Sequence, residues 1–428
     1  PPRSSTEQPP SPRAAAVTVH GSSGRGEAPL EVEEGGDPAL LGNPTEIIPS
    51  GPLRVDVVTP EPYAHFFEAL ASDGFPVYDA EAVQEAQGDF ASLLGQGIFT
   101  APYMMTEVSP RGASYEHNED YWLGMPALAG ISVGKIADDR AGLQALANGE
   151  ADLLLNPQVR TAAQASNLEN VHFLTSGELM PGYIGFNFNP NLPPFDDLAV
   201  RQAFSFAIDN DAIAQSALFG VLPPMRGIFP SGQPLSFDWV EYDPDRAEQL
   251  LESAGWVSAG GGPRTKAGTP LTAVLWTLDD NAESIATAAA GMLEAVGFAV
   301  DLRVQPPMAY EAVFAQLRDV GGALVTNANS YGAGKPAVAM PRNFLADDPH
   351  NGVPIVDEAI NAEIERIAAS NDPAVVGEAL RTIQRINAEQ VYYHPVVGLS
   401  LRTAAGERFS GFQVNPFYFF IDWRTVPT

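Results

Sequence analysis

The residues best suited to chemistry gather after one apolar run. Ala323 to Thr326 leads into Asn327-Ala328-Asn329-Ser330-Tyr331-Gly332, two amides, a hydroxyl and a phenol at the end of an expected strand. Amides and hydroxyls give oriented hydrogen bonds and an aromatic ring stacks, the mixture that lines a small-molecule cleft. The same residue types also end strands as turn formers. Ligand contact and turn chemistry therefore stand side by side for Asn327, Asn329, Ser330 and Tyr331. Trp276 closes a second apolar run, Leu271 to Leu278, and is a weaker candidate. Met225 and Arg226 lie in a loop stiffened by Pro223, Pro224 and Pro230. An arginine facing a cleft could hold a carboxylate; a solvated surface arginine is the plainer reading.

Catalytic signatures are absent. No Gly-x-Ser-x-Gly elbow and no His-Glu-x-x-His pair occurs. Gly332-Ala333-Gly334-Lys335 hints at a phosphate loop, but Asn329 stands where its first glycine belongs and Pro336 replaces the Ser/Thr. The six histidines are scattered with no i, i+4 pair, so no metal site is expected, and no cofactor. Acidic pairs such as Asp138-Asp139 and Asp279-Asp280 are background in so acidic a chain. The chain is read as a binding protein and not an enzyme, with a hydrolase using acidic pairs as a minor alternative.

The elements that must position these residues alternate between strand and helix. Leu271 to Leu278, Phe298 to Val304 and Ala323 to Thr326 read as strands, with helices at Ala282 to Val296 and Tyr310 to Leu317. Connections this short imply parallel pairing and right-handed crossovers, an α/β class. Asp243-Pro244 and Asp372-Pro373 each place a cap before a proline at the first helical position. Upstream, strands are expected at Leu53 to Val58, Phe99 to Val108, Ala113 to His117, Ile131 to Val133, Ala151 to Leu155, Val171 to Leu174 and Tyr183 to Asn187. Val396 to Leu401 reads as a late strand. Residues 1–43, rich in Pro, Gly and Ser and without an aromatic, read as an irregular tail. The aromatic end, Phe417 to Phe420 with Trp423, is expected to be buried.

Charge narrows the partners. The 428 residues carry 23 Lys+Arg against 53 Asp+Glu, a net charge of −30. Only three lysines occur, so no basic patch for nucleic acid can be assembled. Anionic membrane surfaces are disfavoured for the same reason. There is no cysteine, which removes disulfides, thiolate sites and cysteine nucleophiles. No uncharged apolar run reaches the length of a membrane span.

Several segments, in order, resemble the family 5 extracellular solute-binding proteins, the peptide, nickel and oligosaccharide receptors of ABC importers. Tyr183-Ile184-Gly185-Phe186-Asn187 followed by Pro193-Pro194-Phe195-Asp196 and on to Ile208-Asp209 carries the closest likeness. Ala101-Pro102-Tyr103, Asn118-Glu119-Asp120-Tyr121-Trp122, Gly149-Glu150-Ala151-Asp152 and Asp243-Pro244 to Ala254-Gly255-Trp256 keep the family's order. The resemblance implies a two-lobed, type II periplasmic-binding-protein fold with a ligand between the lobes. On that pattern 44–189 and 395–428 form a discontinuous first lobe and 190–394 the second. It also implies an extracytoplasmic location, permease subunits as partners, a monomer, and a peptide or similar oligomeric or chelated solute as ligand. A sensor or chaperone on the same scaffold is the alternative. The family's early Phe-x-Asp-Gly motif is not found, so an incomplete first lobe is expected. Peptide binders of the family often carry an aspartate after the third strand of the second lobe; Asn327 to Tyr331 offers no acid there, and Tyr331 resembles the aromatic of chelate binders.

Overall fold

The computed structural model describes residues 41–42, 44–51, 54–70, 78–136, 138–176, 182–258, 260–306, 310–328, 337, 340–341, 343–345, 353, 355–415, 421–422 and 424–427. The tail expected over 1–43 therefore lies outside the described residues, except Leu41 and Gly42. The aromatic end at 417–420 and 423 lies outside them too.

The chain divides into two units, the first running to Lys135 and the second from Ile136 to Ile421, with short exchanges at 67–69 and near the carboxyl end. The smaller unit begins with a hairpin, β1 (Glu46–Gly51) and β2 (Arg54–Val58). Two short helices follow, α1 (Phe66–Leu70) and α2 (Ala80–Glu85), with Asp79 accepting from the first amides of α2. An antiparallel sheet then forms from β3 (Tyr103–Ser109), β4 (Gly112–His117) and β5 (Gly130–Gly134). None of these three strands carries a fully buried residue.

The larger unit holds all three buried hydrophobic clusters found among the described residues. Its first part is α3 (Asp139–Ala147), β6 (Leu153–Leu155), α4 (Val159–Ala165) and β7 (Val171–Thr175). Gly149, at φ +73, stops α3, a backbone that glycine adopts without strain. β8 (Tyr183–Phe188) is buried at every position. Three helices follow, α5 (Leu198–Ala207), α6 (Asn210–Ser216) and α7 (Pro244–Ser253), each capped by an aspartate: Asp197, Asp209 and Asp243. The stripe Val200, Phe204, Ala207 is buried, as the helical spacing requires.

After a two-residue hairpin, β9 (Thr265–Lys266) with β10 (Thr269–Pro270), the expected alternation appears. It runs β11 (Thr272–Thr277), α8 (Asp280–Ala295), β12 (Ala299–Val304), α9 (Tyr310–Val320) and β13 (Ala323–Ala328). β11 pairs in parallel with both β12 and β13. Helices α10 (Glu358–Ala368) and α11 (Pro373–Gln390) lead to β14 (Tyr393–Gly398) and β15 (Arg402–Gly406).

Two sheets result. The larger has the order β12-β11-β13-β8-β14, and the smaller β6-β15-β7. β8 pairs antiparallel with β13 on one side and β14 on the other. Tyr183–Phe188, expected with the first lobe, lies between β13 and β14 in one sheet. The late strand begins three residues earlier than its apolar run suggests, because Tyr393 to Pro395 already pair with Asn187 to Gly185. Gly185 makes that pairing possible: a Cβ there would stand 2.2 Å from the His394 carbonyl oxygen.

The larger sheet is covered on both faces. One face holds Ala273 and Leu275 against α5 to α8, including Phe204, Leu251 and Leu293. The other holds Trp276 and Leu324 against α9, α10 and α11, including Leu317, Ile367 and Leu380. Fully burying a Leu, Ile or Phe side chain contributes about 1.5–3 kcal/mol. A strand sequence apolar at successive positions is the mark of a sheet covered on both sides.

Candidate functional site

The edge of the larger sheet where β11, β13 and β14 end and β8 begins is the place to look, since open α/β sheets bind ligands beyond their strands' carboxyl ends. Ala328 pairs with Tyr183, and Gly398 pairs with Tyr183 from the other side, so these ends stand level. From β11 the chain crosses to β12 on one side and then to β13 on the other, so the switch in strand order lies between β11 and β13. Asn327 occupies the end of β13, its backbone opposite Ile184. Asn329, Ser330 and Tyr331 follow it but lie outside the described residues.

The remaining candidates are placed fully and are not brought together with one another as an exposed surface. Trp276 is 1% exposed. Its indole Nε1 donates to the Gly321 carbonyl at 3.2 Å, and the Arg303 guanidinium lies 4.7 Å from its ring centroid. This approach depends on Gly322, at φ +112, where a Cβ would stand 2.5 Å from the Val274 carbonyl oxygen. Trp276 thus packs the sheet against the turn before β13 in this structure.

Met225 is also buried. Its amide donates to the Val396 carbonyl at 2.9 Å, and its own carbonyl accepts from Asn210 Nδ2 at 2.9 Å. The Gly398 amide likewise donates to the Pro223 carbonyl at 2.8 Å, so the proline-rich loop runs beside β14 as an added edge. Arg226 is half-exposed, and its guanidinium pairs with the Asp211 carboxylate on the first turn of α6.

Beneath this loop lies a polar network that sequence reasoning missed. His394 is fully buried. Its Nδ1 is 2.8 Å from Ser205 Oγ, and its Nε2 is 3.2 Å from Asn210 Oδ1. Asn210 Nδ2 donates to both the Met225 and Pro395 carbonyls. With its amide protons so engaged, Asn210 Oδ1 must accept, so His394 is protonated on Nε2 and accepts the Ser205 hydroxyl at Nδ1. Burial holds the ring neutral and lowers its pKa to about 3. No spacing rule could have joined Ser205, Asn210 and His394; the packing of α5 and α6 against β14 brings them together.

The family-like segments have structural work of their own. Arg201 is buried, its Nε donating to the Gln390 carbonyl at 2.8 Å and its Nη1 to the Phe195 carbonyl at 2.6 Å. Arg246 on α7 lies 4.1 Å over the Phe206 ring. In the smaller unit, the Asn118 amide donates to the Pro102 carbonyl and its Nδ2 to the Ala101 carbonyl, tying two of the segments together. Trp122 beside it is exposed and lines a cavity of about 830 Å³ with Tyr121 and His117.

The described residues contain no group of three His, Asp or Glu arranged to hold a metal. Among them no helix is long and apolar enough to cross a membrane.

The fold is that of the two-lobed periplasmic binding proteins. NikA from Brucella suis, solved with Fe(III)-EDTA, superposes with a TM-score of 0.73 at 22% identity, covering 86% of this chain and 76% of that one. The oligopeptide-binding protein AppA from Bacillus subtilis, solved with a nonapeptide, gives 0.71 at 19% identity, covering 90% and 78%.

The family follows from sequence. The model of the bacterial extracellular solute-binding proteins, family 5, matches residues 20–348, and the chain belongs to that family. Heme-binding protein A of Haemophilus influenzae is 28% identical over 199 residues, 45% of this chain and 36% of that protein. Glutathione-binding protein GsiB of Salmonella paratyphi A is 26% identical over 216 residues, 50% of this chain and 41% of that protein. The matched stretch thus spans less than half the length of these two relatives.

Proposed function

We propose that this chain is the solute-capturing receptor of an ABC importer, acting outside the cytoplasm and handing its ligand to permease subunits without turning it over. The ligand is a peptide or a similar oligomeric or chelated solute. Membership of the extracellular solute-binding family is the observation that carries this reading. The relatives' names support the ligand class, since they cover a heme binder, a glutathione binder and a peptide binder.

The binding residues are assigned to the end of β13. Asn327, Asn329, Ser330 and Tyr331 would supply amide, hydroxyl and phenol contacts. Met225, Arg226 and Trp276 would act from behind them, Arg226 only by exchanging Asp211 for a ligand carboxylate. Capture would be a closure of the smaller sheet's layer on the larger, with the ligand favouring the closed state by its better affinity for it.

The test is thermal unfolding against a panel of mixed tripeptides, glutathione, heme and nickel–histidine. A ligand at a hundred times its Kd adds about 2.7 kcal/mol to stability, which appears as a rise in Tm. Substituting Tyr331→Ala and Asn329→Ala should remove the rise and leave the ligand-free Tm in place. A panel ligand whose effect survives both substitutions would place the site elsewhere.

A further inference from the structure

The cavity of about 830 Å³ in the smaller unit shares no residue with the end of β13. Its walls come from the segment before β3, from β3 and β4, and from the loop between β4 and β5. Strand register makes its floor. Met104 on β3 stands opposite Glu116 on β4, so the two side chains share a face of the sheet. Gly130 on β5 opposes Glu116 from the other side and has no side chain to cover it. The Met104 thioether and the Glu116 carboxylate both line the cavity.

The loop after β4 supplies the aromatic wall. Asn118 Oδ1 accepts the Asp120 amide at 3.1 Å, and the Asn118 carbonyl accepts the Tyr121 amide at 3.1 Å. The Tyr121 carbonyl then accepts the Gly124 amide at 2.9 Å, and Gly124, at φ +113, completes the turn without strain. Trp122 is thereby held 74% exposed, its ring centroid 6.1 Å from that of Tyr121 with the planes at 66°. None of these hydrogen bonds needs an indole at position 122. Its presence there leaves a large apolar face in water, against the usual placing of tryptophan.

The charges around that indole are of one sign. Glu116, Glu119 and Asp120 line the cavity, and no Lys or Arg does. Asp79 and Asp138 show the ordinary employment of acids in this chain, as helix caps. Glu116 and Asp120 have no such duty: among the described residues their carboxylates accept no hydrogen bond and form no ion pair. Glu119 faces His117 Nε2 at 3.6 Å. An aromatic face attracts a cation through its quadrupole, and carboxylates beside it add the opposite charge. The same groups repel anions, and the volume is that of a small-molecule site. We propose that Trp122, with Tyr121, Met104, Glu116 and Asp120, forms a second binding site, for a small organic cation of the alkylammonium class. The site is built from other residues than the solute site and does not depend on that reading.

Choline and benzyltrimethylammonium are the probes. Dimethylbutanol, which has choline's shape with carbon in place of nitrogen, is the uncharged control. Each carries one sharp methyl resonance, whose broadening on titration with the full chain gives a Kd. Both cations should bind at about 1 mM or tighter, and the alcohol about tenfold more weakly. Trp122→Ala and Glu116→Gln, both at exposed positions, should each weaken the cations about tenfold, and Asp120→Asn by less. Tyr331→Ala at the solute site should leave them unchanged. No binding of either cation, equal binding of the alcohol, or unchanged affinity in all three cavity variants would overturn the site. If one variant does not melt cooperatively, the other two decide. A cation released by Tyr331→Ala and kept by Trp122→Ala would belong to the solute site, which overturns this proposal and leaves solute capture standing.

Discussion

At the scale of single residues, burial separates chemistry from support. His394 looks like a candidate catalyst by type, yet every polar atom of its ring is spent on Ser205 and Asn210. Its pKa, lowered to about 3 by burial, has a consequence for stability. The unfolded chain takes up a proton near pH 6.5 and the folded one does not. Above that pH the group is neutral in both states and adds no pH dependence. Below it, stability falls by about 1.4 kcal/mol per pH unit, down to about pH 3. Urea unfolding at pH 7 and pH 5 should show this loss, and His394→Gln should flatten this part of the profile. Asn210→Ala is expected to cost more at neutral pH. It orphans the Pro395 carbonyl and the imidazole N–H, each at about 1–3 kcal/mol, and leaves the Met225 carbonyl only the longer contact from Arg226 Nη1; the drop in urea midpoint checks it. Trp276 and Met225 show the limit of reading residues by type. An aromatic at a strand end and a methionine in a proline loop suit a cleft, but which face they turn to depends on the register with β12 and β13 and on the loop's pairing to β14. Sequence spacing does not contain that register.

Helices and strands were legible where punctuation was local. Asp279 before α8 and Gly297 after it, at φ +102, bound the helix from both ends. Aspartates cap α3, α5, α6, α7, α8, α10 and α11 alike. Part of the chain's acidity is therefore structural. Asp279→Ala should cost about 0.5–2 kcal/mol and Asp279→Ser much less, measured by chemical denaturation. Elements without such signals were not legible. α4 is preceded at its N-cap by Gln158, whose side chain makes no cap and reaches Asp280 instead. β15, Arg-Thr-Ala-Ala-Gly, has little strand character of its own. It is a strand because β6 and β7 pair with it on both sides. The candidate edge was legible as the end of a parallel β13; its antiparallel neighbour β8, drawn from the other expected lobe, was not.

At the scale of the whole molecule, the charge of −30 sets conditions more than it sets the fold. Self-repulsion works against the compact state and is screened by salt, with a Debye length of about 10 Å at 0.1 M and 3 Å at 1 M. Tm should therefore rise with sodium chloride across that range, and a flat response would mean that the charges are already locally paired. The order of the family-like segments placed the chain in its family, while the choice of ligand rests on individual side chains that segment order does not encode. Native mass spectrometry of the purified chain tests solute capture most directly. The expected result is a mass above that of the bare chain, either as purified or after incubation with a peptide mixture, that returns to the bare value on denaturation. A bare mass under both conditions, from protein that unfolds cooperatively, would contradict it.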